Sequence, residues 1–163
     1  MRIPIVVAIL CVSLCASAQT PVQFAGNAKR AAADMQQAVS EIKELPPGKY
    51  RKATYRLDET TTWDVKKTDS MLNPIQAVVK ASIVGGMSDA FASQEDAGRA
   101  DTTIVSSTKI ELTYVPSATG WVFLDGRLYA EPLRSWLPVE YDKCAGKKVF
   151  ICSVVDSFAV KSK

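Results

Sequence analysis

The feature that most constrains this chain is the break at Pro46-Pro47-Gly48, because the apolar residues on its two sides follow different periods. Before it, Ala28, Ala31, Ala32, Met35, Ala38, Val39, Ile42 and Leu45 recur at three- and four-residue spacing, which is one stripe of a helix. Asn27 suits an N-cap, and proline forces the residue before it out of helical geometry, so the pattern predicts a helix over 27–45. Lys29 and Arg30 near its start and Glu44 near its end oppose the helix dipole. A helix of that kind needs a sheet to lie on.

After the break the period falls to two. Tyr50–Leu57 and Thr60–Lys66 are rich in Thr, Tyr, Trp and Val, residues that suit a pleated surface. From Pro74 onward, Ile75, Ala77, Val79, Ala81, Ile83 and Met87 fall on one face, with Gln76, Lys80, Ser82 and Ser88 on the other. Gly85-Gly86 predicts a bulge or a sharp bend. Ser93–Arg99 reads as a polar connection. Thr102–Val115 predicts a strand with Ile104, Ile110, Leu112 and Tyr114 inward, and Trp121–Tyr129 returns beside it. Two signals compete for the turn between them, the Pro116–Gly120 loop and the Asp125-Gly126 pair. Lys143–Val155 reads as a turn followed by an apolar strand over 149–155. The order argues an α+β domain, with one N-terminal helix packed on an antiparallel sheet of four to six strands joined mostly as a meander.

The first eighteen residues read as a secretory leader. Arg2 gives a positive start, Ile3–Cys15 is an apolar run, and Ala16-Ser17-Ala18 offers the small-x-small pattern of a cleavage site. The run falls short of the roughly 20 apolar residues that a spanning helix needs. The reading is therefore export, with cleavage near Ala18 and a single domain over residues 19–163, secreted or periplasmic. Lipidation of Cys15 or Cys11 is disfavoured, because Leu14 and Leu10 stand where a small residue is required. No later stretch reaches spanning length; Ile75–Val84 is interrupted by Gln76, Lys80 and Ser82.

Export puts the remaining pair, Cys144 and Cys152, in an oxidising compartment, where a disulfide is the default. Their spacing is not the Cys-x-x-Cys of redox enzymes. The chain has no histidine at all. That count excludes Ser-His-Asp and Cys-His catalysis, His-ligated zinc and His-ligated haem. The adjacent acids Asp58-Glu59 and Glu95-Asp96 form no facing pair by themselves, since strand neighbours point to opposite faces. Gly146-Lys147-Lys148 lacks the upstream glycine of a phosphate loop. The formal charge of +3 falls to +2 once Arg2 is lost, with both signs interspersed, which leaves no footprint for nucleic acid. The sequence thus implies a non-catalytic module with no cofactor or metal, its partner another envelope or extracellular protein.

The most patterned stretch is Asp64-Val65-Lys66-Lys67-Thr68-Asp69-Ser70-Met71-Leu72-Asn73-Pro74. Thr68, Asp69 and Ser70 can each bond nearby backbone, and Asn73-Pro74 starts a turn. A tight connection between strands is one reading, and a recognition loop exposing Lys66, Lys67, Thr68, Asp69 and Ser70 is the other. The segment is similar to one in small exported bacterial proteins of uncharacterised function, in which a Lys-Thr-(Asp/Asn)-Ser turn and a proline precede a long strand and a Tyr/Trp-bearing hairpin. That resemblance covers roughly residues 55–129. Gln76-Ala77-Val78-Val79-Lys80 loosely resembles the Gln-x-Val-x-Gly loop of cystatin-type protease inhibitors, with Lys80 in the glycine position and no later Pro-Trp pair; it implies an inhibitor as an alternative. A third reading makes Trp63, Trp121 and Trp136 a surface platform for a glycan or small ligand, against packing in the core.

Overall fold

The computed structural model describes residues 20–144 and 149–161; the leader and cleavage site expected from the sequence fall outside them. The first helix, α1 (Pro21–Gln36), starts earlier than the stripe predicts. Thr20 and Gln23 form a reciprocal capping box, and Pro21 sits in the first turn, where its missing N–H costs nothing. Phe24, Ala28, Ala31 and Ala32 make its buried face.

The second half of the expected helix is a strand instead, β1 (Val39–Leu45). Gln37 is already extended, and Pro46-Pro47-Gly48 does not simply stop a helix; it turns the chain into β2 (Lys49–Leu57), with Leu45 opposite Lys49 and Gly48 at φ +61°. β3 (Thr62–Lys67) continues in the direction of β2. The two take successive parts of the same partner, β4 (Ile75–Met87): β2 pairs with Ile83–Met87 and β3 with Ile75–Lys80. Between them Asp58 accepts from the Thr60 amide and from the Thr61 hydroxyl through its backbone oxygen.

The Ser93–Arg99 connection contains a short helix, α2 (Gln94–Arg99), capped by the Ser93 hydroxyl. β5 (Thr103–Ser117) and β6 (Gly120–Ala130) form the longest hairpin, turning at 117–120, so the Pro116–Gly120 signal is the one used. β7 (Ser135–Pro138) pairs with β6 on its other side. The expected last strand is a helix, α3 (Phe150–Phe158), and β8 (Val160–Lys161) returns to β6. Ile151, Val154, Val155 and Phe158 carry helical spacing, which outweighs the strand propensity of single valines once the face can be buried.

The architecture is α+β, with a largely meandering antiparallel sheet ordered β1-β2-β4-β5-β6-β7, β3 beside β4 and β8 beside β6. Among the described residues it has eight strands, more than the expected four to six. β1, β7 and β8 add strands where the sequence pattern predicts none, and 149–155 is helical where it predicts a strand. α1 and α3 cover one face. Their residues Phe24, Ala28, Val154, Val155 and Phe158 meet Leu57, Val79, Ile110, Leu112, Tyr114 and Trp121 from the sheet in one core.

Two bulges decide which side chains reach that core. At Gly85/Gly86 the register with β5 shifts, and Val105 is the extra residue. Beyond it, Ile104 faces the opposite side and is 69% exposed, not inward as alternation predicts. In β6 the extra residue is Leu124, between Phe123 opposite Tyr114 and Asp125 opposite Thr113. Asp125-Gly126 therefore lies inside a strand, and Gly126 is brought to the inner face. A Cβ there would stand 2.8 Å from Leu112 Cδ2, 3.1 Å from Phe123 Cε2 and 3.2 Å from the Glu111 carbonyl oxygen. Gly126→Ala is expected to lower stability by about 1–2 kcal/mol through overpacking, measured by denaturant unfolding; an unchanged midpoint would show that Leu112 has room to move.

Candidate functional site

The sheet is longer than the helices that cover it. Side chains of Val39, Glu41 and Lys43 on β1 and of Arg51, Ala53 and Tyr55 on β2 project on the helix-bearing side, since these residues are register partners. α3 begins at this overhang. Between its first turn and the β1–β2 surface lies a groove of about 610 Å³, floored by Tyr55 and Ile83 and walled by Val39, Val149, Phe150 and Ile151. The Phe150 ring stacks on Tyr55 with centroids 5.8 Å apart. This volume sits within the span of about 300–1,000 Å³ typical of small-molecule sites.

One end of the groove is polar. Lys43 Nζ donates to the Tyr55 hydroxyl at 2.7 Å and lies 2.9 Å from Glu41 Oε1, over the edge of the Tyr55 ring. The Tyr55 hydrogen bond, then the Glu41 carboxylate, raise the Lys43 pKa above the ordinary lysine value, against a weaker pull from burial. The ammonium is therefore charged at every physiological pH. Among the described residues two of its three donors are engaged by these partners. Ser40, through its backbone, and Ser153 also border the groove. Among the described residues α3 starts at Val149 with no side-chain cap and no acid in its first turn, so its own first turn leaves the positive dipole end unbalanced.

The residues singled out in the sequence lie elsewhere. Lys66 and Lys67 end β3, and Thr68, Asp69 and Ser70 form the β3–β4 connection. Thr68 Oγ1 donates to the Asn73 carbonyl and accepts from the Ser70 amide, Ser70 Oγ accepts from the Asn73 amide, and the Thr68 amide donates to Pro74. The turn is closed on itself, with Met71 98% and Leu72 90% exposed at its tip. Ile75, at its foot, is eight residues along β4 from Ile83, or about 26 Å. Gln76–Lys80 is not a free loop; β3 and β5 pair it on both sides.

The three tryptophans form no platform. Trp121 is fully buried against Phe24, Trp63 packs on the core, and Trp136 sits on the opposite sheet face with the Arg127 guanidinium 4.6 Å above its ring. Arg127 also donates to Glu111, which Lys80 approaches at 3.5 Å. Burial pushes the Glu111 carboxyl up, but Arg127 and Lys80 together outweigh it and hold the group below its ordinary value. Asp58 and Glu59 lie in the β2–β3 connection, Glu95 pairs with Arg99, and Asp96 accepts from Ser93, so the adjacent acids serve local turns. Among the described residues no group of three or more acids and cysteines converges where it could hold a metal ion.

Cys144 and Cys152 are bonded, with Cα atoms 5.6 Å apart. The bridge ties a 3-10 turn at Tyr141–Cys144 to the first turns of α3, not to a terminal strand as the sequence suggests. It thus fixes the helix end that walls the groove. Among the described residues no helix is long and apolar enough to cross a membrane. No family model, curated protein or solved structure matches the chain.

Proposed function

We propose that the chain is an exported binding module without catalysis, acting in the periplasm or outside the cell, and that it binds a small amphipathic molecule with an anionic head. The observation that carries this reading is the groove: a mostly apolar volume of about 610 Å³ ending at a charged, fixed ammonium and the uncapped start of α3. Apolar walls favour a hydrocarbon or ring body, while Lys43 and the helix dipole favour negative charge at one end. The leader pattern and the cysteine pair support export.

Calorimetric titration with dodecanoate and with dodecanol tests it. The carboxylate is expected to bind more tightly than the alcohol, and Val149→Glu, which sets a negative charge at a half-exposed rim position, to weaken the carboxylate at least tenfold without loss of fold. Equal dodecanoate binding by wild type and Val149→Glu would rule the groove out as the site.

A second reading has its own observation, the projecting Met71 and Leu72 at the β3–β4 tip. Exposed apolar residues on a rigid turn suit contact with an envelope or extracellular protein. Serine at both positions separates the readings, because it leaves the groove untouched.

A further inference from the structure

We propose that β1 pairs with β1 of a second copy of this chain, joining two sheets across a two-fold axis at Ile42. Among the described residues β1 ends the strand order and pairs only with β2, so its outer edge offers unpaired backbone over Val39–Leu45. Edge strands usually deter such pairing with charge. Here the charges follow an order that complements itself.

With Ile42 opposite Ile42, antiparallel pairing sets Glu41 against the partner's Lys43, Lys43 against the partner's Glu41, and Val39 against the partner's Leu45. Ser40 meets the partner's Glu44. Every pair is apolar with apolar, acid with base, or hydroxyl with carboxylate. Sliding the axis by one residue to Lys43 or to Glu41 sets Lys43 opposite Lys43 or Glu41 opposite Glu41, and like charges directly opposed destabilise a ladder. A one-residue slip between the strands would turn the inner face of one copy toward the outer face of the other. The sequence of β1 thus selects one register, and that register is symmetric, as a closed dimer requires.

The pairing bears on the groove without depending on its occupant. Val39, Glu41 and Lys43 line that groove. The partner's Leu45 would extend the apolar wall at Val39, and the partner's Lys43 would bring a second ammonium to Glu41. The two grooves would lie side by side on one face of a continuous sheet.

Sedimentation equilibrium on the purified protein, with far-ultraviolet circular dichroism to confirm folding, tests this. Wild type is expected to dimerise reversibly. Glu41→Lys and Lys43→Glu, which shift net charge in opposite directions, should each weaken the dimer about tenfold or more, because each puts two like-charged pairs across the axis. The double variant E41K/K43E should return to the wild-type dissociation constant, and an equimolar mixture of the two single variants should form a heterodimer. A wild type that stays monomeric at every concentration, single variants that dimerise unchanged, or a double variant that fails to recover would each overturn the proposal.

Discussion

Phe24→Ala is expected to lower stability by about 3–5 kcal/mol, the range for removing a large buried aromatic side chain. Phe24 is fully buried, with ring centroids 4.9 Å from Trp121 and 5.7 Å from Tyr114. It is the side chain through which the start of α1 reaches the inner ends of β5 and β6. Truncation would leave a void between two rings that are themselves held by strand pairing, so collapse can fill little of it. Against a typical margin of about 5–15 kcal/mol, the loss should appear as a fall of roughly 10–20 °C in melting temperature. Val22, two residues earlier and 80% exposed, is the control; Val22→Ala should stay within about 0.5 kcal/mol of wild type. Similar effects at the two positions would mean that α1 does not pack as described.

The second large effect concerns the bridge. Cys144→Ser/Cys152→Ser is expected to cost roughly 2.5 kcal/mol, the chain-entropy value for closing a loop of this length. The fold should survive, because Val154, Val155 and Phe158 remain in the core and the Tyr114 hydroxyl still donates to the Val155 carbonyl. The start of α3 should not survive equally well. Val149 provides no side-chain cap, so the bridge is a principal restraint on the turn that carries Phe150 and Ile151. Thermal unfolding should therefore fall by several degrees, and dodecanoate affinity should fall with it. Two free thiols in the native protein would contradict the bridge, and an unchanged affinity in the double variant would show that the groove wall stands without it.

This dependence also explains what the sequence reveals and what it conceals. The α+β class follows from the change of period at Pro46-Pro47-Gly48, and β2, β4, β5 and β6 lie close to their expected positions. The disulfide pair is legible because only two cysteines follow residue 18. The groove is not legible, for a particular reason: one wall is β1, read from the sequence as helix, and the other is α3, read as strand. In 39–45 the spacing of Val39, Ile42 and Leu45 fits a helix, but these residues do not share a buried face; Val39 and Ile42 are largely exposed on opposite sides of an edge strand. In 149–158 the β-branched residues suggest a strand, while the spacing Ile151, Val154, Val155, Phe158 holds the helical signal. Burial decides both cases, and burial depends on the rest of the sheet.

The bulges are the other concealed element. One extra residue reverses the faces of a strand, so alternation read straight through Ile104 or Asp125-Gly126 gives the wrong side. Gly85-Gly86 does signal the first bulge, although the extra residue lies across the ladder at Val105. The Asp-Gly pair marks the neighbourhood of the second but suggests a turn. The Lys66–Ser70 segment stands out for a different reason: its hydroxyls close the β3–β4 connection through their own backbone bonds. Residues that build a tight turn and residues that bind a partner come from the same polar set, and spacing alone does not separate them.

Amide chemical-shift mapping with dodecanoate asks whether the groove between β1–β2 and α3 is the binding site. Saturable shifts centred on Val39, Lys43, Tyr55, Ile83, Phe150 and Ile151 are expected, with the β3–β4 turn unmoved. Shifts confined to Met71 and Leu72, or spread over the outer face around Trp136, would contradict a site in the groove.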